Sequence, residues 1–145
     1  MNKFWKKSPK SGSTWMRQWL LVAAIYNILF GSWSIFFPSA LFQWAGMVPP
    51  NYPELWQCIG MIVGVYGLGY AIAADDPYRH WPIVLVGFLG KIFGPIGFAQ
   101  ALLKGSLPPS FGVILLSNDL IWWIPFGLIL LSVWKHESQL QSKPS

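Results

Sequence analysis

Four apolar stretches, at residues 18–37, 54–74, 82–103 and 111–134, occupy most of this chain and leave no room for a soluble core. A spanning helix needs about 20 mainly apolar residues, and each stretch meets that length. Inside hydrocarbon no water satisfies backbone N–H and C=O groups, so each run has to close its own hydrogen bonds as a helix. The composition agrees. The 145 residues are 54% hydrophobic and only 10% charged, with a mean hydropathy of +0.44, whereas a soluble domain carries about 25% charge. The expected fold is all-α, a polytopic membrane four-helix bundle. It comprises a domain at 18–134, a basic tail at 1–17 and a polar tail at 135–145. The first apolar run is too long for the roughly 7–15 residues of a signal-peptide core, so it is read as a retained helix.

Basic residues orient the bundle. Lys3, Lys6, Lys7, Lys10, Arg17, Arg79, Lys135 and Lys143 fall on one side, Lys104 falls on the other, and Lys91 lies within a span. The positive-inside rule then puts both termini in the cytoplasm of a multi-pass inner (plasma) membrane protein. The N-terminal lysines read as a topology signal that touches anionic headgroups, and not as a nucleic-acid site. Trp15, Trp19, Trp81 and Trp134 fall at the inner boundary, and Trp44 and Trp56 at the outer one, where amphipathic rings collect. Residues 38–53 are too apolar for a solvated loop and too short to span. A short interfacial segment is expected there, with Phe42 and Trp44 at headgroup level.

Glycine spacing suggests which helices touch. Gly60, Gly64 and Gly67 recur on the second span, and Gly87, Gly90, Gly94 and Gly97 on the third. Helices in lipid associate through close van der Waals approach, which small residues allow. The two stripes are expected to meet each other, and the tight turn DDPYRHWP between them makes the spans an antiparallel hairpin. Leucine at Gly90 or Gly94 is then expected to force the pair apart. Self-association through one stripe is the competing use.

The most informative side chains are Lys91 and Asp119, because a charge at the centre of a span costs about 2.5–3.5 kcal/mol on insertion scales. At 1.5 Å per residue, Lys91 lies about 13 Å from the inner boundary and Asp119 about 12 Å from the outer one. Across a core of about 30 Å their depths differ by only about 5 Å. Asn27 of the first span lies near the same level. Asn118 adjoins Asp119 but is expected about 100° around the helix. A buried Lys91–Asp119 pair supported by Asn27 or Asn118 is the simplest arrangement, either as a structural tie or as a ligand, proton or ion site. Trp122 and Trp123, one turn further on, join the candidate set. Pro95 and Pro125 remove backbone donors and are expected to free the carbonyls of Lys91 and Ile121. The same kinks are candidates for opening a cavity beside the charged pair.

Several chemistries find no residues to carry them. His80 and His136 lie outside the spans, which argues against a buried haem. No Cys/His group has metal-ligand spacing, so neither a metal nor a cofactor is expected. The glycines follow helix faces and not a phosphate-binding turn. Lys91 suits Schiff-base chemistry in principle, but the chain is far too short for a seven-helix retinal protein.

The runs YNILFGSW (26–33), WQCIGMIVGVYGLGYAIAA (56–74), RHWPIVLVGFLGKIFGPIGF (79–98) and NDLIWWIPF (118–126) resemble a family of small bacterial four-helix membrane proteins of uncharacterised function. The resemblance implies the architecture and no activity. Some members of that family carry an alkyl hydroperoxide reductase label, which these residues do not support. Peroxidase thiolates sit in electropositive, accessible settings, whereas Cys58 is read as packing inside an apolar helix.

The reading that follows is a binding or scaffold subunit of a membrane complex, built around a Lys/Asp/Asn centre. The alternatives are an oligomeric transporter or channel subunit and, third, a membrane enzyme acting on a lipid-soluble substrate, so the reading leans away from catalysis. The expected partners are the lipid bilayer and a homo-oligomer or larger membrane complex, with no nucleic acid. Eight basic residues against one predict that a C-terminal fluorescent reporter is active inside the cell and a C-terminal phosphatase reporter is silent. The opposite pattern would invert the topology.

Overall fold

The computed structural model of the chain describes residues 14–141, and the N-terminal lysines and Lys143 lie outside them. The described residues form helices and no strands. Four helices are long and apolar enough to cross a membrane, which makes the chain a multi-pass membrane protein. In order they are α1 (Thr14–Phe36), a short α2 (Ala40–Trp44), α3 (Pro53–Asp75) and α4 (Trp81–Leu103). The fourth span then runs through a 3-10 turn (Pro109–Gly112), α5 (Val113–Leu115), a π-helical turn (Leu116–Leu120) and α6 (Ile121–Gln141).

Local sequence explains the ends. Proline occupies the first turn of α3 and of α4, where the missing N–H costs nothing. Glu54 adds a favourable charge at the start of α3. Gly46 and Gly105 take positive φ just beyond α2 and α4, the left-handed backbone that stops a helix. Ser110 Oγ donates to the Ala45 carbonyl at 2.8 Å, tying the α2 loop to the start of the fourth span.

Helix pairing differs from the pairing expected of the glycines. The closest partner of α3 is α1. A Cβ on Gly60 would lie 2.8 Å from the Gly31 carbonyl oxygen, and one on Gly67 would lie 2.9 Å from the Ala24 carbonyl oxygen. The α3 stripe therefore meets Ala24 and Gly31 of α1. Gly31 supplies the glycine for this contact, and its Cβ would press on the backbone of Gly64. Nothing lies within 4 Å of a Cβ built on Gly90, Gly97 or Gly64 itself. Gly94 faces the Asp119 carboxylate of the fourth span, 3.2 Å away, and Gly87 accepts the ring of Tyr70. The α4 stripe is thus divided among a tyrosine, a carboxylate and open space. Spacing marks glycines as close-contact positions but does not name the partner.

Three layers stack along the bundle. Toward the end that carries the Tyr78 turn, Met16, Leu20, Ala73, Ala74, Val84, Phe126, Ile129 and Val133 form a close-packed apolar core. At the other end Phe42 packs against Trp56 and Phe111, and Phe98 stacks on Phe111. Phe42 therefore turns inward, while Trp44 remains exposed as expected. The polar residues lie between these apolar layers. Cys58 is exposed on the outer surface of α3 and does not serve as packing.

The α1–α3 contact can be tested directly. Gly60→Ala should destabilise the protein by about 1–3 kcal/mol, because the added methyl meets backbone. Gly97→Ala should cost nothing and gain up to about 1 kcal/mol of helix propensity. Thermal melts in nanodiscs compare the two, and equal losses would contradict the assigned contact.

Candidate polar site within the bundle

The fourth span does not cross as an unbroken α-helix. Leu116–Leu120, the segment LSNDL, winds as a π-turn. A π-turn adds one residue to the hydrogen-bonded ring and commonly occurs at functional sites. Within it Asn118 Nδ2 donates to Asp119 Oδ1 at 3.2 Å. The two residues thus share one site, although they are neighbours in sequence.

Side-chain hydrogen bonds hold this turn. The Trp122 indole N–H donates to the Ser117 carbonyl at 3.0 Å. Tyr26 of α1 donates its hydroxyl to Ser117 Oγ at 3.1 Å, and that hydroxyl in turn donates to the Ile114 carbonyl at 3.2 Å. On α4, Pro95 lacks the N–H that would reach the Lys91 carbonyl. The Trp123 indole supplies the missing donor to that carbonyl at 2.9 Å. One proline on α4 and one tryptophan on α6 therefore fix the lysine backbone together.

Lys91 Nζ lies 3.5 Å from Asn118 Oδ1 and 3.9 Å from Asp119 Oδ1. Lys91 is 7% exposed and Asp119 5%. The pair is an ion pair at long range, with Asn118 touching both members. Asn27 of α1 is 1% exposed, and its Oδ1 has no hydrogen-bond partner. A cavity of about 150 Å³ joins these groups. Its polar lining is Asn27, Tyr66, Tyr70, Lys91, Asn118 and Asp119, and Ile62, Val63, Gly87 and Gly90 complete the wall.

Asn27, Lys91, Asn118 and Asp119 thus come together. Trp122 and Trp123 do not line the cavity. Trp122 packs on Tyr26 and Phe126, and Trp123 holds the Lys91 backbone. Of the glycines, Gly87 and Gly90 line the cavity. Sequence reasoning missed Tyr66, Tyr70 and Ser117. The two tyrosines are one turn apart in the middle of α3, and Ser117 begins the polar run Ser-Asn-Asp within an apolar span. Those were the available signals. Among the described residues, no group of His, Cys, Asp and Glu has the arrangement to hold a metal ion.

The chain matches no protein-family model and no solved structure. It is similar to a protein named Disulfide bond formation protein B from Cupriavidus pinatubonensis (strain JMP 134 / LMG 1197). The two are 26% identical over 107 residues, covering 66% of this chain and 65% of that protein. The chain thus spans less than two thirds of the length of that curated relative.

The polar contacts predict a coupled pair. Lys91→Met and Asp119→Asn should each cost about 3–5 kcal/mol, because each leaves a buried charge uncompensated. The double variant should recover part of that loss. The 3.9 Å separation places the coupling in the lower half of the usual range of about 0.5–3 kcal/mol. Strict additivity in melts of the four proteins would mean that the two charges act independently.

Proposed function

We propose that the chain is an intramembrane binding subunit whose cavity, among Asn27, Lys91, Asn118 and Asp119, takes a small molecule with a hydrogen-bonding head. The observation that carries this reading is Asn27. Its amide oxygen is buried and unpartnered, and the residue is one of those that line the cavity, although a buried polar group left unsatisfied costs about 1–3 kcal/mol. A purely structural tie between Lys91 and Asp119 needs neither that amide nor the space. The volume of about 150 Å³ suits one six-membered ring or about five waters. The exposed apolar faces of the bundle suit lipid, a second copy or a larger membrane complex. Both termini lie in the cytoplasm and the membrane is the inner one, on the strength of the basic-residue count.

Similarity to a protein named for disulfide bond formation favours a second reading, a role in membrane thiol oxidation. Exchange of that kind proceeds by attack of a thiolate on a disulfide. This chain carries one cysteine, exposed on α3, so any such exchange would need a thiol or disulfide from another molecule. The binding reading requires no second thiol and uses the buried residues. The transporter and enzyme readings rest on the same side chains, and liposome flux or turnover of the bound molecule would distinguish them.

Asn27→Leu tests the proposal because it removes the unpartnered amide while keeping the branching and the number of side-chain heavy atoms. The variant should be more stable than the parent by about 1 kcal/mol or more and should lose small molecules that co-purify with the parent, as read by native mass spectrometry and solvent extraction. A destabilised variant, or an unchanged bound complement, would remove Asn27 from any binding role.

A further inference from the structure

The cavity has its mouth on an unusual side. Gly90 and Ile62 both line it, and both are exposed on the exterior of the bundle. A Cβ built on Gly90 would meet nothing within 4 Å. The opening therefore lies between α3 and α4, with Ile62 on one edge and Gly90 on the other. Below it the ring of Tyr70 packs across Gly87 and closes the gap between the helices. Gly90 lies about 12 Å from the inner boundary at residue 82, at 1.5 Å per residue. In a hydrocarbon core about 30 Å thick, an outward opening at that depth faces acyl chains and not water.

We propose that this opening is a lateral window, and that the occupant is a membrane-dissolved amphiphile with a neutral, ring-sized head bearing a hydroxyl or equivalent donor. The proposal rests on the binding role assigned to the cavity above and adds its route of entry and its ligand class. Lys91 and Asp119 carry opposite charges 3.9 Å apart, so the lining has no net charge to offset a charged head. Bringing such a head to the middle of the bilayer is costly. Asn27 Oδ1 is unpartnered and accepts from the occupant once its amide turns toward the cavity that the residue lines, and the Lys91 ammonium has N–H groups beyond the one directed at Asn118. A hydroxyl meets both demands, because it donates one hydrogen bond and accepts others. A volume of about 150 Å³ admits a benzene-sized ring, and the alkyl tail passes through the window to lie among lipid chains.

The test uses the full chain in phosphatidylcholine nanodiscs and 4-octylphenol with a diazirine on its alkyl chain. Irradiation should label residues bordering Ile62 and Gly90 saturably, with competition by unlabelled 4-octylphenol. Gly90→Leu, which fills the window, and Asn27→Leu should each weaken labelling by at least about tenfold, a loss of about one decade in affinity. Gly97→Leu should label like the parent. If Gly90→Leu does not fold, Ile62→Trp narrows the same window from an exposed position and should give the same loss. Undiminished labelling of a folded window variant would overturn lateral entry. Equal saturable labelling by the octylbenzene analogue would overturn the hydroxyl-bearing head. If a water-soluble diazirine benzyl alcohol labels the cavity and octylphenol does not, lateral entry fails while the binding role stands. If neither probe labels saturably, both fail.

Discussion

Much of the arrangement follows from the need to partner polar groups inside hydrocarbon, with Asn27 Oδ1, Ser34 Oγ and Trp56 Nε1 the buried exceptions among the described residues. Lys91 cannot be left alone at mid-span, and its nearest opposite charge lies on a different helix. The two lie 3.9 Å apart, and Asn118 stands beside both. The same requirement applies to backbone. Pro95 frees the Lys91 carbonyl, and the Trp123 indole takes it up. One residue of α4 is therefore held to the fourth span through both its side chain and its carbonyl. These contacts act together with the van der Waals packing of α4 against α6 to hold the two helices in register.

The legible part of the structure was the part dictated by the solvent. Apolar runs of span length locate the helices because the bilayer admits little else. The depths of Asn27, Lys91 and Asp119 follow from the fixed rise of a helix, so their meeting could be anticipated by counting residues. Pairing was less legible. Gly60 and Gly67 announce close contact, but a glycine lacks the side chain that would identify its partner, and the partner proved to be α1. The π-turn could not be anticipated either. Its bracing depends in part on Tyr26 arriving from α1, and local propensity carries no trace of that. Cys58 shows the same limit, because an apolar helix in lipid can turn a cysteine outward at no cost.

The layers divide stability from the site. The core around Phe126, Ile129 and Val84 is fully buried, and the opposite end is closed by Phe42, Trp56, Phe98 and Phe111. Between them lies a cavity lined in part by Asn27, whose amide oxygen is unpartnered. Replacing Asn27 by leucine would remove that local penalty. Departures from local consistency of this kind are expected where a protein has something to bind.

The π-turn explains how the middle layer can be both polar and ordered. Asn118 and Asp119 both line the cavity from within this turn, at the cost of a less regular backbone. That cost is offset by the bonds that Tyr26 and Trp122 make to Ser117. Those bonds also connect the site to α1, which carries Asn27 one residue beyond Tyr26. The groups around the cavity are therefore positioned by a common set of contacts: α1 braces the turn, the turn aligns Asn118 and Asp119, and Asn118 bridges to the lysine. Each of these contacts satisfies a polar group in a region where the lipid offers no partner of its own.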